Sequence, residues 1–298
     1  AGTNLIGTGL QSPSSSITTA NVPDAITDLA VSVITDTTAT LTWTAPNSNG
    51  SNIVDYTLYR DGVLISTSAT TGFSDTGLIT QTSYVYTVYA RNNVGLSLIS
   101  NSVTQVTDGV PDVVSFTATN TNSNQIDLTW SEPNDFNSAI TSYVIERESP
   151  IGGGFTELIT LGSVLSYSDV SVSPVTEYNY RISAVNGYGT GVTSTSSTTT
   201  LSAPPTSLIV HDRSHTLTTA LDLEWVAPVP STGVNGYKIT YETPVGNGFG
   251  TLVANTTNTN LYYNHTGLNS GQFYNYKVQA LTSYGASQVS NSYANIGI

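Results

Sequence analysis

The 298-residue chain predicts an all-β protein: three tandem antiparallel β-sandwiches in a rod, preceded by an extended, strand-like N-terminal segment. Three observations carry that expectation. Tryptophan occurs three times, each within a variant of one hexapeptide: LTWTAP from Leu41 to Pro46, LTWSEP from Leu128 to Pro133 and LEWVAP from Leu223 to Pro228. A tyrosine-rich run also recurs once per copy, as YVYTVYARNNVG (84–95), YNYRISAVNGYG (178–189) and YNYKVQALTSYG (274–285). In both signatures apolar residues fall at alternate positions, so one face of an extended strand is turned to a core. Self-similarity of this kind marks a repeat architecture, and no stretch carries helical periodicity.

Residues 1–21 are the first element. GLQSPSSSITTANVPD, at 9–24, parallels GLSLISNSVTQVTDGVPD, at 95–112, which closes the first repeat. Gly9-Leu10 matches Gly95-Leu96, and Ser16-Ile17-Thr18 matches Ser102-Val103-Thr104. The segment therefore reads as the last strand of a sandwich whose partner strands are absent. An exposed sheet edge is a template for such a strand. The expectation is a connector that pairs with a neighbouring copy, with Leu5, Ile6, Leu10 and Ile17 as subunit contacts. Head-to-tail contacts of this type build open fibres unless their rotation closes. The alternatives are a Ser/Thr-rich tail left by processing and a remnant of a longer array.

The first repeat spans 22–108. Ala39, Leu41 and Trp43 alternate inward, Pro46 ends the strand because it cannot donate to a ladder, and Tyr56 marks the next strand. Asp61-Gly62 reads as a tight hairpin turn. Leu78, six residues before Tyr84, has the spacing of a tyrosine corner, whose hydroxyl bonds backbone a few residues upstream. The second repeat, 109–202, runs through Ile126, Leu128, Trp130, Tyr143, Val172 and Tyr178 in the same way. The third, 203–298, runs through Leu221, Leu223, Trp225, Tyr237, Leu268 and Tyr274. Repeats two and three share E-x-P-x-G-x-G-F, at Glu148 to Phe155 and Glu242 to Phe249. Proline in the junctions VPD (22–24, 110–112) and APP (203–205) predicts stiff linkers.

The Trp and Tyr positions and the Y-x-Y-x-V-x-A-x-N-x-x-G run resemble tandem fibronectin type III domains over residues 22–298. The third copy departs only in having Thr282 where the others have Asn92 and Asn186. The resemblance implies seven-stranded, immunoglobulin-like sandwiches of Greek-key topology. Trp43, Trp130 and Trp225 would lie in the cores, and Tyr84, Tyr178 and Tyr274 would form the corners.

Composition narrows the function. Charged residues are 9% of the chain, against about 25% in ordinary domains. The net charge of −13, with Lys238 and Lys277 as the only lysines, argues against nucleic acid, whose phosphates need clustered cations. No run reaches the length of a membrane helix, so membrane insertion is not expected. There is no cysteine to form disulfides or thiolate sites. The absence of methionine fits a processed, secreted or cell-surface product.

Sites of chemistry are sparse. His211, His215 and His265 are the candidate metal ligands, read by default as solvated loop histidines. Calcium at domain junctions is the only cofactor considered, through Glu132 with Asp135 or Asp108 with Asp112. No nucleophile elbow, carboxylate pair or phosphate loop is present, so an enzyme is not expected. Arg60-Asp61-Gly62 has the wrong order for an adhesive Arg-Gly-Asp loop. Sequons at Asn49, Asn255 and Asn264 are candidate glycosylation sites. The expected function is a non-enzymatic subunit of an extracellular filament or surface layer, self-associating through residues 1–21. The alternative is a carbohydrate-binding or spacer module of a larger secreted enzyme or adhesin, with Tyr262 and Tyr263 as a glycan platform.

Overall fold

A computed structural model describes residues 19–211 and 219–290 with their side chains, and the backbone of 3–4, 7–8, 212 and 296–297. Every regular element among them is a β-strand, and all pairings are antiparallel.

In the first sandwich, β1 (Ala30–Ile34), β2 (Thr38–Thr42) and β5 (Gly72–Thr76) form one sheet in the order β1-β2-β5. The facing sheet, in the order β4-β3-β6-β7, contains β3 (Ile53–Arg60), β4 (Val63–Ser68), β6 (Ser83–Asn92) and β7 (Val103–Val106). The β3–β4 hairpin turns at Asp61 (φ 51°) and Gly62 (φ 77°). Two successive positive φ values match the right-handed twist of the flanking strands, which is why Asp-Gly stands there. Along β6, Tyr84, Tyr86, Val88, Ala90 and Asn92 are buried and the residues between them are not.

The second sandwich repeats the plan. β8 (Phe116–Asn122), β9 (Gln125–Trp130) and β12 (Ser166–Asp169) form one sheet. β11 (Phe155–Leu161), β10 (Ser142–Glu148) and β13 (Glu177–Asn186) form the other, and β14 (Gly189–Thr190) and β15 (Ser194–Thr199) both pair with β13.

In the third, β16 (Thr206–Asp212), β17 (Ala220–Val226) and β20 (Tyr262–Thr266) face a sheet built on β18 (Gly236–Glu242), β19 (Gly250–Val253) and β21 (Phe273–Thr282). β22 (Gly285–Ala286) and the short β23 (Ile296–Gly297) pair with β21.

Each sandwich has its own core. Trp43 packs edge-on to Tyr56, Trp130 at a tilt to Tyr143 and Trp225 edge-on to Tyr237, with ring centroids 5.4, 5.4 and 5.1 Å apart. Burying each such ring contributes roughly 1.5–3 kcal/mol, and the edge-on geometry adds to it.

After β6 and β21 the chain runs beside the strand as an irregular segment stapled by buried serines. Ser97 Oγ accepts from the Ala90 amide and Ser100 Oγ from Val88 (3.0 Å each). Ser287 and Ser290 do the same for Ala280 and Val278. A hydroxyl two bonds from the backbone thus replaces a ladder carbonyl, which keeps these amides satisfied where the ladder lapses.

Candidate functional site

Polar groups recur in equivalent arrangements at three places in the sandwiches. The first is the tyrosine corner. The hydroxyls of Tyr84, Tyr178 and Tyr274 accept from the backbone amides of Ile79 (2.9 Å), Ser173 (2.8 Å) and Asn269 (2.9 Å), each five residues upstream.

The second lies directly under the corner. In the first sandwich Arg60, at the end of β3, donates to both oxygens of Asp75 on β5 (3.1 and 2.9 Å), and Tyr86 Oη donates to the same carboxylate at 2.9 Å. In the second, Arg147 and Tyr180 donate to Asp169 Oδ2 at 2.7 and 2.8 Å, while Ser171 donates to Oδ1 through its amide and hydroxyl. Both guanidinium groups lie over the ring of the corner tyrosine, 5.3 and 5.2 Å from its centroid. Asp169 is fully buried. Burial alone would push its carboxyl up, but the bonds from Ser171, Tyr180 and Arg147 outweigh that and hold it below its usual value. Burial, then the bond to the carboxylate, pushes the Tyr86 and Tyr180 phenols up. In the third sandwich the same three positions carry Tyr241, His265 and Tyr276.

The third place is the hairpin after β10 and β18. Glu148 accepts from the amides of Gly152 (2.8 Å) and Gly154 (3.3 Å) and from Asn179 Nδ2 (2.7 Å). Glu242 repeats this with Gly246 (3.1 Å), Gly248 (3.3 Å) and Asn275 (2.7 Å). The asparagine bond first, then the glycine amides, holds both carboxyls below their ordinary value. All four glycines have φ between +85° and +100°, a region that a Cβ penalises. The phenylalanine that closes each motif is capped by a cation from the strand two places across the sheet: Arg181 lies 4.7 Å over Phe155 and Lys277 lies 3.8 Å over Phe249.

The three sandwiches coincide with three matches to a known family model, "Fibronectin type III domain", at residues 24–106, 111–200 and 203–295. The chain belongs to the fibronectin type III family. Exoglucanase B of Cellulomonas fimi is 30% identical over 280 residues, covering 88% of this chain and 24% of that protein. Human netrin receptor DCC is 28% identical over 305 residues, covering 94% of this chain and 20% of the receptor. Human neogenin is 27% identical over 294 residues, with 90% and 19% covered. The chain thus spans about a quarter or less of the length of each of these relatives.

Within these fibronectin type III sandwiches, the residues singled out from sequence fall as follows. Trp43, Trp130 and Trp225 are buried. His211 and His265 do not converge, and the reading of both as loop residues is corrected: both lie on strands flanking β17. His211 is opposite Asp222 and His265 opposite Leu221, so their side chains leave opposite faces of one sheet. Among the described residues His211 approaches Glu224, at 3.8 Å. His215 lies outside the described residues, as do Leu5, Ile6, Leu10 and Ile17. Among the described residues no group of three His, Asp or Glu side chains is placed to hold a metal, the acids at 108, 112, 132 and 135 included.

The two candidate platform tyrosines also part company. Tyr262 is 64% exposed, whereas Tyr263, the next residue on β20, packs against the core. Strand alternation forbids their sharing a face.

Of the sequons, Asn49 has φ 51° and its Nδ2 donates to Val22 O and Asp24 Oδ1, both at 2.9 Å. A glycan there would displace at least one bond. Asn264 sits within β20, not in a loop, and donates to Asp222. Asn255 is exposed, and its side-chain oxygen accepts from the Thr257 amide at 2.7 Å.

Proposed function

We propose that the chain is a non-catalytic extracellular spacer, a stretch of stacked sandwiches that sets the distance between other parts of a larger secreted or cell-surface protein. One observation carries this reading. Each concentrated constellation of charged and aromatic groups is spent on holding a sandwich together: the Arg–Asp–Tyr sets, the glutamate-capped hairpins and the tyrosine corners. The similarity to segments of exoglucanase B and of the netrin receptor DCC supports placing it outside the cell.

The second reading is a filament subunit joined through residues 1–21. It is favoured by the likeness of 9–24 to the closing strand of the first repeat, although residues 1–18 are not among those described with side chains. Negative-stain microscopy and sedimentation of 1–298 beside 22–298 separate the two. Isolated particles from both support the spacer. Fibres from the full chain that vanish in 22–298 overturn it and establish the connector. Co-sedimentation of either form with insoluble glucan would instead make it a binding module.

A further inference from the structure

Two sandwiches lock the space beneath the corner with an ion pair, and the third does not. Arg60 and Arg147 each stand four residues after the recurring Tyr56 or Tyr143; the residue four after Tyr237 is Tyr241. Asp75 and Asp169 each stand three residues before Leu78 or Val172; the residue three before Leu268 is His265. The replacement is coherent. His265 Nδ1 is 2.8 Å from Tyr276 Oη, which takes the place of the phenol-to-carboxylate bond. Tyr241 stacks on the corner Tyr274 and on Tyr276 at 6.5 and 6.3 Å, taking the place of the guanidinium. Its ring also meets His265 edge-on at 5.1 Å.

We propose that the third sandwich is an acid-sensitive module, in which protonation of the half-buried His265 imidazole loosens the domain while the two ion-paired sandwiches hold. This goes beyond the spacer reading and does not depend on it. The imidazole is flanked by the phenol rings of Tyr241 on β18 and of Tyr274 and Tyr276 on β21, with Leu221 as its neighbour on β17. The charged groups nearby lie elsewhere. Asp222 and Glu224 on β17 alternate to the opposite face, with His211 of β16 and Asn264. Asp212 of β16 stands in the same register row, two strand spacings away, about 10 Å. Lys277 is held over Phe249. Among the residues described with their side chains no carboxylate faces the ring to compensate a positive charge.

Desolvation accordingly depresses the imidazole below its ordinary value of 6.5. A group whose folded value is depressed in this way keeps its full contribution above the unfolded value. As pH falls below 6.5 the unfolded chain takes up the proton first, and the unfolded-to-folded ratio rises by up to about tenfold per pH unit. In the second sandwich Asp169, also depressed, keeps its contribution until pH falls below its ordinary 3.8. Glu148 of the second sandwich, also depressed, begins to lose its contribution below its ordinary 4.5, so between 6.5 and 4.5 the third sandwich weakens alone.

The test is hydrogen exchange of the full chain at about pH 7.5 and about pH 5, corrected for intrinsic rates, bracketing the imidazole range. Peptides from β18 and β21 should lose protection at the lower pH, while those from β3, β6, β10 and β13 keep theirs. His265→Asn, which cannot titrate, should abolish the difference, and Tyr241→Arg with His265→Asp should carry the third sandwich through acid like the others. Equal protection across the three sandwiches at the lower pH overturns the proposal, as does an undiminished loss in His265→Asn. Should the double variant not fold, an NMR titration of His265 in the unaltered chain decides: a midpoint below 6.5 supports the device, and one at or above it sinks it.

Discussion

At the scale of single residues, the consequential groups are few and buried. Asp169 is the clearest, since its two oxygens receive four donors in a site without solvent. Asp169→Asn leaves Arg147 without its counter-charge, and removing one partner of a buried pair costs about 3–5 kcal/mol. Chemical denaturation followed by fluorescence should show that loss for the second sandwich. Tyr178→Phe strands only the Ser173 amide, so its cost should be smaller, about 1–3 kcal/mol. The corner tyrosines were legible from a fixed spacing to one apolar residue. The Asp–Arg–Tyr sets were not, because their members lie on three strands and only a residue-by-residue alignment of the repeats puts Arg60, Arg147 and Tyr241 in one column. His265 was misread for a related reason. N-H-T-G looks like a loop, yet Gly267 (φ 75°) lies after the strand and Tyr263 and His265 form its inward face.

At the scale of elements, hairpin chemistry separates the first sandwich from the other two. Asp61-Gly62 makes the shortest connection, and Gly62→Ala should destabilise the first sandwich by about 1–2 kcal/mol, the penalty of a left-handed backbone for a residue bearing Cβ. The longer loops of the second and third depend on Glu148 and Glu242. Glu148→Ala should release the 150–154 segment, read as new proteolytic cleavage there, while the β3–β4 hairpin of the same molecule stays intact. The sequence displays this motif twice, yet its purpose stays hidden, since the Asn179 and Asn275 that complete it come from a strand far along the chain. Strand alternation was the easiest feature to read: β6, β13 and β21 bury every second residue along most of their length.

At the scale of the whole molecule, three cores that share no residue imply unfolding in steps. Scanning calorimetry of Asp169→Asn should move the transition that contains the second sandwich and leave that of the first in place; a uniform shift would mean the cores are energetically fused. The repeated placement of one indole per core has an optical consequence as well. With one tryptophan in each sandwich, packed against a tyrosine of the same core, the protein carries three separate reporters in equivalent surroundings. Replacing any two by phenylalanine leaves a single emitter, so three such variants would let the melting of each sandwich be watched in turn without a foreign dye.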